Sequence, residues 1–155
     1  MSSQSVVKAL NTVLADTYSL TVKTHNYHWN VEGALFPTLH SLFESHYNEL
    51  FKATDVIAER IRALGSKVNG TLVAFAKLST IKEADYELNA DQMLSDLCAS
   101  HQAALATIDK AIETCEKAKD AASADLLTQR QATHEKIVWM LKACMPQPAR
   151  MKKAV

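Results

Sequence analysis

The sequence predicts an all-helical protein, and three observations lead to this fold class. The chain has only three glycines and three prolines in 155 residues, so few positions interrupt a helix. Apolar residues recur every three or four positions over long stretches, and no long stretch alternates apolar with polar residues as a strand would. The length suits one domain with a substantial core. We therefore expect residues 1–155 to form a single helical bundle with four long helices and one short one.

Composition excludes several classes of function. Lys plus Arg and Asp plus Glu both number 17, so an overall charge field cannot drive nucleic-acid or membrane binding. No apolar run approaches the roughly 20 residues of a membrane span, and no charged-then-apolar leader opens the sequence. The three cysteines are odd in number and lack C-x-x-C spacing. We interpret them as core thiols of a cytoplasmic protein without a membrane partner: Cys98, Cys115 and Cys144.

The first helix is predicted to begin near Ser3 or Ser5, either of which is a suitable N-cap, and to end near Asn30. Its apolar stripe ends in a histidine, His28, which lies in line with Leu10 about five turns earlier. Position alone favours a hydrogen-bonded core role for this histidine. The stripe comprises Val7, Leu10, Leu14, Thr21 and His28.

The second helix is predicted from Pro37 to Leu64 and closed by Gly65. One stripe is apolar and should face the core: Leu39, Phe43, His46, Leu50, Ile57, Ile61 and Leu64. A second stripe lies about 120° away and has a pair of ion-binding residues at each end with two aromatics between them: His40, Glu44, Tyr47, Phe51, Asp55 and Glu59. Because a face turned only to water would not need the aromatics, this face is predicted to meet a partner.

Distance decides how these pairs can bind metal. His40 and Glu44 are one turn apart and can share an ion, as can Asp55 and Glu59. Eleven residues of helix separate Glu44 from Asp55, or about 16 Å, whereas metal–ligand bonds are only about 2 Å long. Two copies of this helix packed antiparallel about a two-fold axis would bring one chain's first pair to the other chain's second pair. The spacing therefore predicts two equivalent metal sites shared between subunits.

The loop at Gly33 is short enough to force an αα-hairpin. This hairpin would lay His28 beside His40 and Glu44. With two neighbours of ligand type, His28 becomes the third candidate ligand rather than a core residue.

The short helix is predicted within residues 71–79, in a long connection from Gly65 to Leu88 that crosses the length of the bundle. Asn89 and Gln92 resemble a capping box at the start of the third long helix, which should end near Lys119. Its core stripe is Met93, Leu97, His101, Ala104, Ile108, Ala111 and Cys115.

The fourth long helix is predicted from Ala122 until Pro146 stops it. The residues expected near its buried face are Leu126, Arg130, Thr133, Ile137, Met140, Leu141 and Cys144.

The remaining histidines are interpreted as structural. His101 lies within a core stripe without a carboxylate one turn away, and His46 points away from the second stripe of its helix. His134 is expected on a solvated face, while His25 is either a group beside the metal or a surface residue. Neither of the last two long helices has the Glu-x-x-His element of a di-iron site inside one bundle, which favours the shared site.

The segment HNYHWNVEGALFPTLHSLFESHYNEL, followed by DVIAERIRALG, resembles the signature of the Dps family of mini-ferritins, and the whole chain fits the family pattern. The matching positions are His28-Trp29-Asn30-Val31, then His40, Glu44, Asp55 and Glu59; Trp139 also matches a family aromatic position. Many relatives have Asp at position 44, and the longer Glu keeps a carboxylate there.

The resemblance implies a ferritin-like four-helix bundle with a short extra helix in the connection, assembled from two-fold dimers into a hollow dodecamer. It implies a ferroxidase that oxidises Fe(II), with hydrogen peroxide as the preferred oxidant, and stores the ferric mineral inside. His28, His40 and Glu44 would come from one subunit, and Asp55 and Glu59 from its mate. Imidazole and carboxylate ligands suit iron and also admit Zn or Mn.

Three further residues have two interpretations each. Trp29, next to His28, is expected to pack the site, and the alternative is that it intercepts stray radicals. Asp120 and Asp125 either line an iron entry pore or lie on a solvated face.

The alternative function is that of a nucleoid-binding structural protein whose metal sites only stiffen its interfaces. Residues 146–155 form a short basic tail with Arg150, Lys152 and Lys153. Three charges per chain predict weak, salt-sensitive DNA binding at most. A short solubilising tail is the favoured interpretation of these charges.

Overall fold

The computed structural model describes residues 3–146 and confirms the predicted all-helical architecture. Every predicted helix is present, and the bounds differ from the expectations by only a few residues. The basic tail lies beyond residue 146, outside the described residues. None of the helices described is long and apolar enough to cross a membrane. The helices are α1 Ser3–Asn30, α2 Phe36–Ala63, α3 Leu72–Leu78, α4 Ala90–Lys117 and α5 Ala121–Cys144.

Two helical hairpins form the bundle. α1 packs mainly on α2, and α4 packs mainly on α5, while contacts between α1 and α4 join the two pairs. The connection between α2 and α4 carries α3, which packs against α1. Apolar side chains from all four long helices fill the interior in two large clusters, one towards each end of the bundle. Burial of this apolar surface is the main stabilising contribution to the fold.

The predicted helix ends rest on specific hydrogen bonds. After α2, Gly65 has a φ of +88°, a backbone conformation that favours glycine. Its N–H donates to the carbonyl of Arg62, and the N–H of Ser66 donates to that of Ile61, which together satisfy carbonyls that the helix leaves free. At the start of α4, Asn89 and Gln92 form the predicted reciprocal capping box.

A buried carboxylate fixes the connection after α3. Asp16 on α1 is 1% exposed, and its Oδ1 accepts hydrogen bonds from the backbone N–H of Thr80 at 2.6 Å and from Ser79 Oγ at 3.1 Å. Its Oδ2 accepts from Thr80 Oγ1 at 2.9 Å. These bonds compensate for burying the charge. They also hold the crossing segment against α1.

The predicted core stripe of α2 is confirmed, since six of its members are buried and Leu64 is half-buried. The cysteine interpretation also agrees with burial, because Cys98 and Cys115 are buried and Cys144 is half-buried, all three as free thiols. Burial raises the pKa of Cys115 to about 11, so its thiol stays protonated near neutrality.

The face predicted for α5 is partly wrong. Leu127, His134 and Val138 are buried, whereas the predicted Leu126, Thr133 and Met140 are only half-buried. Apolar residues are spread around this helix without a dominant side, so their spacing does not fix which face turns inward. Contacts with α4 decide it.

The interpretation of His134 as a solvated residue is wrong. Its side chain is fully buried, and its Nδ1 lies 2.9 Å from Nδ1 of His101 on α4. The physical reason is the shifted face of α5, which turns His134 inward. His101 and His46 are buried as predicted.

Candidate metal centre

The α1–α2 hairpin brings His28 and His40 together as predicted. Their rings stack with centroids 3.8 Å apart and an interplanar angle of 19°. Each ring bonds to the backbone of the other residue: His28 Nδ1 to the carbonyl of His40, and His40 Nδ1 to the carbonyl of His28, both at 2.8 Å. The short loop at Gly33, with a φ of +104°, makes this close approach of the two helices possible.

These reciprocal bonds fix the chemistry of both rings. A carbonyl oxygen only accepts, so each Nδ1 must carry the proton and donate it. In the neutral imidazole, Nε2 then keeps its lone pair and is available to a metal ion. A backbone bond at the other nitrogen is a common way in which proteins orient metal-binding histidines. His28 and His40 therefore present two Nε2 donors set for coordination.

Aromatic rings enclose the two histidines. Tyr47 meets His28 edge-on at 5.3 Å, and Phe36 lies 4.9 Å from His40. His25 lies between Trp29, with ring centroids 3.9 Å apart, and Tyr47, at 4.2 Å. Burial, and then the nearby His28, lower the pKa of His25. The ring is therefore largely neutral near pH 7.

The structure does not bring all five candidate ligands together within one chain. Glu44 lies one turn after His40 and is exposed, and Asp55 and Glu59 are exposed further along the same helix. Among residues 3–146 of a single chain, no group of three or more His, Cys, Asp or Glu side chains is arranged to hold a metal ion. The two ligand pairs thus remain about 16 Å apart along α2.

The face between the two pairs is apolar and open in the subunit. Phe51, the aromatic residue nearest the middle of this face, is 59% exposed. Beside it a groove of about 650 Å³ runs between α2 and the segment leading into α3, lined in part by Asp55, Val68 and Phe75. Large apolar side chains next to a groove are typical of surfaces that bind another protein.

Ion pairs link α2 in two places, to α5 and to the residue at the start of α5. Glu49 on α2 forms a two-pronged ion pair with Arg130 on α5, with the Nη2–Oε2 bond at 2.9 Å. Near the end of α2, Arg60 donates to Asp120 at 2.7 Å and to Ser123 at 2.8 Å. Because Arg60 directly follows Glu59, this contact fixes the backbone that carries the last candidate ligand.

Asp120 therefore has a structural role that neither sequence interpretation included. It is the N-cap of α5 and accepts hydrogen bonds from the backbone and side chain of Ser123. Burial alone would raise the pKa of Asp120, but the bonds from Ser123 and the charge of Arg60 outweigh it and lower the pKa. Asp125 is exposed and accepts a hydrogen bond from Gln129.

Comparison with known proteins decides the family. A ferritin-like domain matches residues 7–151 of the chain. The chain is 36% identical over 145 residues to DNA protection during starvation protein 2 of Bacillus anthracis, covering 94% of this chain and 99% of that protein. It belongs to the Dps family of ferritin-like proteins.

Solved structures of Dps proteins agree with this assignment. Dps from Staphylococcus aureus superimposes with a TM-score of 0.90 at 36% identity, covering 94% of this chain and 97% of that one. A Dps protein from Vibrio cholerae O1, described as a ferritin-like diiron-carboxylate protein, gives a TM-score of 0.86 at 30% identity, covering 91% and 89%. The predicted fold is thus confirmed, and the chain is a mini-ferritin.

Proposed function

We propose that this Dps protein is a ferroxidase that oxidises Fe(II) at sites shared by two subunits and stores the ferric product in a hollow shell. The observation that carries the proposal is the preset pair of Nε2 donors on His28 and His40. The diiron-carboxylate description of the Vibrio cholerae relative supports iron as the metal. Zn or Mn would suit the same ligands.

The proposal of a shared site is supported by the ligand arrangement in one chain, where no three candidate ligands among the described residues are placed to hold one metal ion. His28, His40 and Glu44 supply two imidazoles and one carboxylate. A second subunit placed antiparallel across the exposed Phe51 face would add Asp55 and Glu59. The same symmetry operation builds both sites of the dimer, and dimers of this kind would assemble into a dodecamer.

The ligand set accounts for the proposed chemistry. Carboxylates offset the added positive charge when Fe(II) becomes Fe(III), and the imidazoles hold the ions without thiolate ligands. Two Fe(II) ions at one site together provide the two electrons that reduce one hydrogen peroxide, with two protons, to two waters. No hydroxyl radical is released in such a paired reduction. Hydrogen peroxide is therefore the proposed oxidant.

Co-assembly of two inactive variants tests the shared site. One variant carries His28→Ala and His40→Ala, and the other carries Asp55→Asn and Glu59→Gln. A hybrid dimer has one site with all native ligands, so random co-assembly should restore about a quarter of wild-type activity. Ferric absorbance after addition of Fe(II) and peroxide to co-expressed shells measures the recovery.

A matched control uses two defects in the same half of the site. Co-assembled His28→Ala and His40→Ala single variants leave every hybrid site defective, so their activity should equal the mean of the two variants measured separately. Absence of recovery in the first mixture, with hybrids verified by mass spectrometry, would refute the shared site.

A further inference from the structure

The core contains a pair of buried histidines that the proposed iron chemistry does not use. His101 on α4 and His134 on α5 are 1% and 0% exposed, and their Nδ1 atoms lie 2.9 Å apart. A hydrogen bond between two ring nitrogens needs one donor and one acceptor, so at least one ring must be neutral. When both rings are protonated, two N–H groups face each other and the bond is lost.

The surroundings of this pair offer nothing to balance added positive charge. Arg130 on α5 places a second positive charge nearby, and the carboxylate of Glu49 on α2 is already paired with it. His46 on α2 also acts on His101 as a like charge when it is protonated. Within residues 3–146, no carboxylate forms an ion pair or a hydrogen bond with either ring of the pair.

The neighbouring α1 does not supply a free anion either. Lys23 on α1 donates to Ser100, the residue before His101, and its own counter-ion is Asp96. Thr24, also on α1, is buried and uncharged. The Nε2 atoms of His101 and His134 are themselves buried without a hydrogen-bond partner. A proton arriving at this level therefore meets a low-dielectric site that already carries positive charge.

We propose that the His101–His134 pair is an acid-sensitive lock between α4 and α5, which holds the bundle closed while at least one ring is neutral and opens it when both are protonated. The position of the pair gives it this effect, because α5 packs mainly on α4 and touches α2 far less. Separation of the two rings would weaken the contact between α4 and α5, and α4 is the helix on which α5 mainly packs.

The direction of the pH effect follows from linkage. Burial, together with Arg130, lowers the pKa of His134 to about 3, and burial followed by its histidine neighbours and Arg130 lowers the pKa of His101 well below the ordinary value. In the unfolded chain both rings titrate near 6.5. Between these limits the unfolded state binds more protons, so this contribution to stability is complete above about pH 6.5 and is lost as the pH falls towards about 3.

The test compares the wild type with a His101→Gln/His134→Gln double variant, both as metal-free full chains. Glutamine keeps a polar side chain and cannot gain a charge in this range. The free energy of unfolding, measured with urea between pH 7.5 and pH 4.5, should fall more steeply with decreasing pH in the wild type than in the variant. The difference in slope should correspond to about two additional protons taken up on unfolding. The acid unfolding midpoint, followed by circular dichroism, should be lower in the variant by about one pH unit or more.

Two further measurements keep the test decisive. His25→Gln, a matched change outside the core, should leave the proton uptake within about one proton of the wild type. If the double variant does not fold, NMR titration of the assigned wild-type histidine rings replaces it, and the rings of His101 and His134, like that of the buried His46, should stay neutral in the folded protein down to about pH 5. Equal proton uptake in wild type and double variant, or ordinary titration of His101 and His134 in the folded protein, would overturn the proposal. Because no iron is present, these outcomes are independent of the ferroxidase test.

Discussion

Removing the counter-ion of Lys23 should destabilise the bundle strongly. The Lys23 side chain is 2% exposed and its ammonium lies 2.6 Å from Asp96 Oδ2, whereas the Asp96 side chain is 30% exposed. Tyr27 donates to the same carboxylate oxygen at 2.6 Å. Asp96→Asn keeps the size of the side chain but removes its negative charge, so the buried ammonium is left with neutral partners such as Ser100 Oγ at 2.9 Å. Loss of one partner from a buried ion pair costs about 3–5 kcal/mol, and the remaining bond to Ser100 places this variant near 3 kcal/mol.

The opposite substitution should cost less, because the two partners differ in exposure. Lys23→Met removes the buried charge and leaves a carboxylate that water and Tyr27 still solvate, so we expect a loss of about 1 kcal/mol. The Lys23→Met/Asp96→Asn double variant should be more stable than Asp96→Asn alone. Urea unfolding at pH 7.5 gives all three free energies. A loss below about 1 kcal/mol for Asp96→Asn, or equal losses for both single variants, would show that burial of the ammonium does not govern this contact.

Two further predictions concern iron and DNA. Glu59→Gln keeps the size and polarity of the side chain but removes a negative charge that favours Fe(III), so peroxide-dependent iron oxidation should slow by roughly tenfold or more while size-exclusion chromatography shows an intact shell. A dissociated protein that retains full activity would contradict this prediction, because Glu59 would then stabilise the subunit interface and not bind iron. For DNA, gel shifts at several salt concentrations should show at most weak, salt-sensitive binding by the full chain and none after truncation following Gln147, because the cut removes Arg150, Lys152 and Lys153. Tight binding by the truncated protein at physiological salt would refute the role of the tail.

The sequence by itself determined the helices and the division of α2 into two faces. Pro37, Gly65 and the Asn89–Gln92 capping box act within a few residues of their own position, so local spacing suffices to place helix ends. The core stripe of α2 could be predicted for the same reason, since its apolar residues concentrate on one side. The five ligand positions also came from spacing along the chain, and they remain a prediction until a dimer is tested.

The tertiary structure alone decided what the buried polar groups contact, and it alone showed that His134 is buried. His134 meets His101 across 33 positions of sequence, and Lys23 meets Ser100 across 77. No periodicity within one helix reports such a partner, and on α5 the scattered apolar residues leave the inward face undetermined.

The same limit applies at the metal centre. Spacing could place His28 beside His40, but only the close approach of two backbones showed that each Nδ1 donates to the other residue's carbonyl. That contact leaves both Nε2 atoms open to a metal ion. The sequence determined which side chains are available, and the packing of α1 on α2 decided which of their atoms can bind, because hydrogen bonds between helices depend on distances that neither helix contains by itself.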